Sequence, residues 1–492
     1  MSFAGLSFVA SALIAVATSV LMARIFGIEV VGQNALALVP HGVLCLLSTV
    51  REQPAVIRRL TPLSPRSPTV SGVFYAVYSF SVLLTAVMTI VVGIGTIVAF
   101  NGSFDHPDLV VPALCYLVAN LIIGNTSGNL DVIFSAFGDG QSLFKVRLSE
   151  SLSFALLLVL AAQVTDTVWG PVCATIVSWF VALTYRVVLV GRWLDPRVAS
   201  DAYRQGLREL PEFIKFGLKL LPGLLAEGAS NQAGTWALGY ASSTSAVGAY
   251  SRATGLSYRL NEASWRLSEM LLPGLVHSTA QDDFTQRDRR YALGLRGSFT
   301  LLIAASAVLS GGAAGVMALF GDGFAEAATA LAILCVVPAM RAITTSQADV
   351  LIAAHEPGLV SRKSVCGFVV VAAVTWPLTQ AFGTTGAAAS LLMGFGANAA
   401  LGTWAMWSTV GVRARNHWPW PQRMSTVAAF LAAASAGATA ASHVPALWKL
   451  PVGASLSALV FAIGLLLFRA VPVSEIRRGL KLIRREQGPP RA

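Results

Sequence analysis

Charge is what this 492-residue chain has least of. Asp, Glu, Lys and Arg together make up 12% of it, against 55% hydrophobic residues, and the mean hydropathy is +0.67. That composition excludes an ordinary soluble globular protein, which needs more polar surface than this. Cysteine is scarce as well. Cys45, Cys115, Cys173, Cys335 and Cys366 all fall in apolar stretches, with neither metal-site spacing nor a disulfide framework. Catalytic signatures are missing: there is no GxxxxGK[ST] phosphate loop, no HExxH and no CxxC pair. The polar loops are too short for a catalytic domain. The expected protein is neither an enzyme nor the holder of a metal or cofactor.

What is present is a series of long apolar runs. Fourteen candidate spans cover 3–23, 33–50, 71–100, 109–135, 150–163, 168–190, 215–239, 246–277, 293–320, 325–353, 364–382, 385–410, 424–443 and 450–469. The first lacks a basic leader and reads as a membrane helix, not a cleaved signal peptide. An even count puts both termini on one side. The loops on that side hold most of the 35 basic residues, among them Arg58, Arg59, Arg66, Arg192, Arg208, Arg289, Arg290, Arg362, Lys363 and Arg413. The opposite loops hold Arg24 and Lys449, with Asp105, Asp108, Asp166 and Asp322. The positive-inside rule therefore places both termini in the cytoplasm. The net charge of +11 is spread over these short clusters, so no nucleic-acid surface is expected.

The chain also repeats itself. LDVIFSAFGDGQSLFK (130–145) resembles ADVLIAAHEPGLVSRK (348–363), pairing Asp131 with Asp349 and Lys145 with Lys363. Val31-Gly32 pairs with Val247-Gly248, and Trp169-Gly170-Pro171 with Thr385-Gly386-Ala387. A six-helix unit duplicated in the same orientation accounts for this order. The expected organisation is an N-terminal lobe over 1–205, a C-terminal lobe over 206–412, two further helices over 413–470 and a basic tail over 471–492. The tail places Ile476, Leu480 and Ile483 on one face, as an interfacial helix on anionic lipid would.

Four arginines lie deep in the predicted spans: Arg252, Arg259, Arg266 and Arg341. The first three are seven residues apart on one predicted helix. Seven residues return to nearly the same helical angle, with a drift of roughly 20°. They form one stripe about 21 Å long. Glu262 and Glu269 run beside it, within reach of Arg259 and Arg266. Charges at such depth face a water-filled cavity or a partner. Glu227 sits inside the seventh span and, with Glu262 and Glu269, is a candidate for coupling an ion gradient. Asn34 and His41 share a face of the second span and are candidates for polar cavity lining. Arg24 ends the first span. Asp131 is expected to fix a loop, and Arg186 and Lys219 to snorkel to the interface.

ARIFGIEVVGQNALAL (23–38), with Arg24 and a short glycine turn between two helices, resembles the opening of polysaccharide-biosynthesis flippases. GYASSTSAVGAYSRATGL (239–256), AAHEPGLVSRK and FGTTGAAAS (382–390) are similar to later parts of that family. The resemblance covers about the whole chain. It implies the multidrug/oligosaccharidyl-lipid/polysaccharide exporter superfamily: an all-α polytopic membrane protein of about fourteen helices, with two six-helix lobes around a central cavity and two C-terminal helices. The implied cargo is a polyprenyl-diphosphate-linked glycan, flipped by alternating access across the inner membrane and coupled to an ion gradient. Its implied partners are that lipid-linked oligosaccharide, membrane lipids and other polysaccharide-assembly proteins. Arginine suits the cargo because it stays charged at low dielectric and grips phosphate with two hydrogen bonds. The expected substrate-binding residues are Arg252, Arg259, Arg266, Arg341, Arg24, Asn34 and His41. Three other readings compete: a peptidoglycan-precursor flippase, a cation-coupled multidrug exporter, and a membrane glycan polymerase or ligase. A drug exporter would favour an acid in the first span, which has none. A polymerase would show a large outer loop, whereas the longest here runs from about 100 to 108.

Overall fold

The computed structural model describes residues 3–49, 53–61, 63–104, 106–195, 199–280, 283–321, 323–354, 356–412 and 419–467. The side chains of 3–12 and 262–274, with a few others, are outside that description, as is the basic tail beyond 467. Among the described residues every regular element is helical.

The first element, α1 (Phe3–Leu47), holds two membrane-length halves separated by one residue, Gly27, at φ 76° and ψ 174°. Only glycine takes up that backbone conformation without strain. The structure thus shortens the expected turn: Ile28 to Gln33 are helical, and Gly32 is not a turn residue. After α2 (Gln53–Leu60) come α3 (Pro68–Val98), α4 (Val110–Ala119) and α5 (Asn125–Ala136). A π-helical turn at Asn120–Gly124 joins α4 to α5. The next helix, α6 (Gly140–Ala161), begins well before the expected span, because Asp139 caps it through a bond from the Ser142 amide (3.0 Å). Next is α7 (Trp169–Val190). The expected cytoplasmic linker is helical from Ser200 and continuous with the seventh span as α8 (Ser200–Ala241). Then follow α9 (Thr244–Ala280), α10 (Phe284–Gly311), α11 (Ala313–Phe320), α12 (Ala328–Leu334) and α13 (Val337–Ala353). The next, α14 (Pro357–Ala405), is again two halves, broken at Gly383 (φ 54°). Last come α15 (Trp420–Ser442) and α16 (Ala446–Leu467).

Nine described stretches are long and apolar enough to cross a membrane, two of them the double helices α1 and α14. Three more helices, α6, α8 and α9, have the length (22, 42 and 37 residues) but are too polar to meet the same test. With the double helices divided, the chain makes about fourteen passes.

Contacts group the chain into two compact units. The first comprises Met1–Leu256, Leu319–Ala327 and Pro357–Asn398. In it Gly32 and Gly248 meet. A Cβ on Gly32 would run into the Thr244 carbonyl, and one on Gly248 into the Ile28 carbonyl. Ile28 and Thr244 are as far apart in sequence as Gly32 and Gly248, so this backbone contact is reciprocal. One end of the unit is packed around Phe74, Ile133, Phe134, Leu189 and Phe213. Loops are tied down there. Trp193 stacks on Phe137 (5.0 Å between centroids), and its indole N–H donates to Asp139 Oδ2 (3.1 Å). Burial alone would raise the Asp139 pKa, but the Ser142 and Trp193 hydrogen bonds outweigh it and hold the carboxyl below its ordinary value. Arg59 grips both oxygens of Glu209 (2.8 and 2.9 Å), linking α2 to α8. That hydrogen bond holds the Glu209 carboxyl below the usual range.

The second unit comprises Ser257–Ala318, Ala328–Glu356 and Ala399–Ala492. Here α15 and α16 pack on α10 through small residues. Gly311, Gly437 and Gly453 close around Ser457, whose hydroxyl donates to the Ala433 carbonyl (2.9 Å). Small residues let backbones approach closely where lipid gives helices no hydrophobic reason to associate. On the other side of α10, the Ser306 hydroxyl donates to the Cys335 carbonyl at the start of α13.

Candidate functional site

The arginine stripe rides on α9, an unbroken helix that starts where Ser243 Oγ accepts from the Ala246 amide (3.3 Å). Arg252, Arg259 and Arg266 all fall on this one helix. Arg252 is half-buried in the first unit. Its Nη1 donates to Ser19 Oγ (2.8 Å) on α1, and Nη2 lies 3.7 Å from Met22 Sδ. Its Nε is buried without a hydrogen-bond partner. Among the described residues no carboxylate lies within ion-pair distance of it. A guanidinium held by one hydroxyl and a thioether has most of its donor capacity unused. Arg259 is exposed. The side chains of Arg266, Glu262 and Glu269 lie outside the described residues.

In the second unit Arg341, on α13, is 2% exposed and sits over the Tyr258 ring of α9 at 5.7 Å. That is cation–π distance. Ser257 Oγ donates to the Leu334 carbonyl (2.7 Å) and fixes this part of α9.

The second half of α1 presents Asn34, His41 and Cys45 along one face towards α4 and α7. Asn34 is buried and accepts from the Tyr116 hydroxyl (2.7 Å). The His41 ring lies 4.9 Å from that of Trp179 and 6.4 Å from Tyr116. Its Nε2 is 3.5 Å from Cys45 Sγ, which donates to Asn120 Oδ1 (3.4 Å) in the π-helical turn. The heptad spacing of Asn34 and His41 is legible in the sequence; their aromatic partners, Tyr116 and Trp179, are not. Arg24 is exposed at the other end of α1, where its Nε donates to the Leu319 carbonyl (2.8 Å).

Glu227, on α8, lines a crevice of about 220 Å³ in the first unit, together with Ser230, Ser364, Phe368, Phe395 and Asn398. The Asn398 Oδ1 is buried and has no hydrogen-bond partner. Close approach of the helix backbones at Gly367 and Gly394 shapes the crevice. Its polar lining consists mainly of oxygen donors, which suits a small hard cation or a proton.

One cluster escapes the sequence pattern. Arg186 does not snorkel: it is 7% exposed, and its Nε donates to Asp131 Oδ1 (2.9 Å). Glu150 Oε2 stands 3.7 Å from its Nη2. Asp131, expected to fix a loop, lies inside α5 and holds α7 instead. The three residues come from three helices and share no periodicity, so only packing reveals the cluster.

The polysaccharide biosynthesis protein model matches residues 1–261. The chain belongs to that family. The match takes in Arg24, Asn34, His41, Glu227, Arg252 and Arg259, and ends before Glu262, Arg266, Glu269 and Arg341. No curated protein matches this family member's sequence. Its fold is similar to that of the lipid II flippase MurJ in an inward closed conformation, at TM-score 0.68 and 10% identity, covering 95% of this chain and 99% of that one. It is also similar to an inward-facing multidrug resistance MATE family transporter of the MOP superfamily (0.61, 15% identity, 82% and 96% covered). The eukaryotic MATE transporter AtDTX14 follows at 0.55, with 15% identity and 82% and 95% covered. At these identities the likeness is one of fold: this polysaccharide biosynthesis protein is a multi-pass membrane protein with a MOP-superfamily transporter fold.

Proposed function

We propose that this protein is a flippase for a polyprenyl-diphosphate-linked glycan, a precursor of cell-surface polysaccharide. It carries the headgroup from the inner to the outer leaflet of the cytoplasmic membrane by alternating access, with both termini in the cytoplasm. The observation that carries this reading is Arg252: a half-buried cation, inside a membrane protein of the polysaccharide biosynthesis family, with no carboxylate partner among the described residues. A fixed charge of that kind is costly unless a mobile anion answers it, and a diphosphate does. Arg259, Arg266 and Arg341 are assigned to the same anionic cargo by residue type, and His41 offers a polar ring to the sugars. Arg24 and Asn34 position the turn and the helix beside it. Glu227, in its oxygen-lined crevice, couples transport to an ion gradient, with Glu262 and Glu269 moderating the field of the stripe. Cargo would come from glycan-assembly proteins at the inner face and pass to others at the outer face.

A multidrug exporter fits less well, since an arginine with no carboxylate partner among the described residues repels cationic drugs. A polymerase or ligase would lengthen or transfer the glycan; a flippase leaves it unchanged. The test is transbilayer movement of a fluorescent polyprenyl-diphosphate oligosaccharide in vesicles containing the purified protein. Replacing Arg252 by Ala removes charge-assisted bonds to phosphate and should slow movement by about 10–100-fold. Arg252→Lys should recover part of it, because lysine keeps the charge but not the two-pronged grip. Unchanged movement in correctly inserted Arg252→Ala protein would sink the proposal. Lipid II as cargo in a parallel arm separates the peptidoglycan-precursor reading.

A further inference from the structure

Arg186 has two carboxylates beside it, and their arrangement is uneven. Asp131 holds it with both oxygens, Oδ1 to Nε at 2.9 Å and Oδ2 to Nη2 at 3.4 Å. Glu150 approaches only Nη2, at 3.7 Å, beyond hydrogen-bond length. The side chain of Arg186 is 9% exposed, those of Asp131 and Glu150 30% and 33%. Two carboxylates thus compete for one guanidinium, and the trio carries one surplus negative charge.

The surroundings do little to offset that surplus. Helices α1, α5 and α7 pack against α6. The charged groups that act on Glu150 are Asp131 from α5, Arg186 from α7 and Arg147 from its own helix. Lys145 and Arg147, on α6 itself, are exposed. A surplus charge among packed helices is relieved most simply by a proton, and the loosely held carboxylate is the one to take it.

We propose that Glu150 is a proton-binding residue, taking up and releasing one proton beside the Asp131–Arg186 ion pair. The proton passes between water and a Glu150 carboxylate oxygen, and no other bond changes. With Glu150 ionised, Arg186 draws α6 towards α7. With Glu150 neutral, the remaining Asp131–Arg186 pair joins α5 to α7 and leaves α6 free of that attraction. The site is separate from the Glu227 crevice. Only the link from this proton to transport rests on the flippase reading.

Proton binding is tested directly on purified protein in vesicles. The infrared band of a protonated carboxyl should rise and fall with pH in the wild type and lose one carboxyl's intensity in Glu150→Gln. Carbodiimide, which labels protonated carboxyls in apolar sites, should modify Glu150 in a pH-dependent way, read by peptide mass. This second measurement needs no variant and stands if Glu150→Gln does not accumulate. No labelling of Glu150 at any pH, or an unaltered band in the variant, overturns the proposal. In the flux assay the wild-type rate should change by up to about tenfold per pH unit across the titration, as a single proton dictates, and Glu150→Gln should lose that dependence. A Glu150→Gln pH profile matching the wild type overturns the transport link. A titrating Glu150 in a wild-type protein that moves no lipid-linked glycan leaves the proton site standing and removes the proposed function instead.

Discussion

Two arginines inside the helix packing, Arg186 buried and Arg252 half-buried, carry opposite assignments, and their neighbours decide between them. Arg186 lies between Asp131 and Glu150; Arg252 has a hydroxyl and a thioether. By residue type and hydropathy they look alike, which is why an interfacial role for Arg186 is a natural reading of the sequence. The heptad spacing makes Arg252, Arg259 and Arg266 legible because all three sit on one helix. Periodicity has nothing to say about residues drawn from three helices. Glu227 is legible as an acid inside an apolar span; the crevice with Ser364 and Asn398, more than a hundred residues downstream, is not. Replacing Glu227 by Gln keeps the shape and removes the charge. The expected outcome is transport that no longer responds to an imposed sodium or proton gradient, while movement down the cargo's own gradient persists. A full gradient response in Glu227→Gln vesicles would rule out this coupling site.

Among the elements, the two long helices show how little sequence a turn requires. Residues 24–32 read as a loop between spans, yet one residue, Gly27, does the turning, and Ile28–Gln33 continue the helix. Gly32 reads as a turn glycine, but its lack of a side chain serves close packing against Thr244. Both uses leave the same letter in the sequence. They respond differently to mutation. Gly32→Ala forces a methyl into a backbone carbonyl and should lower stability by about 1–3 kcal/mol, as overpacking does. Gly27→Ala meets empty space and is strained only by its backbone angles, costing about 1–3 kcal/mol locally. Thermal unfolding in detergent should show both losses. Truncating Ile28 or Thr244 side chains should not rescue Gly32→Ala, because its obstacle is backbone.

For the molecule as a whole, the distribution of basic residues predicts a cytoplasmic location for both ends. In sealed inside-out vesicles, single cysteines placed at Arg289 and Arg362 should react with a membrane-impermeant maleimide, and one placed at Lys449 should not. Labelling of Lys449→Cys with protection of the other two would invert the topology and with it the direction of transport. Composition, hydropathy and the spacing of basic loops determine by themselves that this chain is a helical membrane protein of about fourteen passes. Those properties follow from local transfer of side chains between water and lipid, which depends on sequence alone. The resemblance of its motifs places it in the polysaccharide biosynthesis family, and the family match bears that out. Tertiary structure decides which charges are answered and which are left open. A carboxylate reaches an arginine only when two helices pack in register, and that register is set by contacts between residues far apart in the chain. So the sequence marks Arg252 as deep and Arg186 as interfacial, and the folded helices alone show that Arg186 has its anions and Arg252 has none among the described residues.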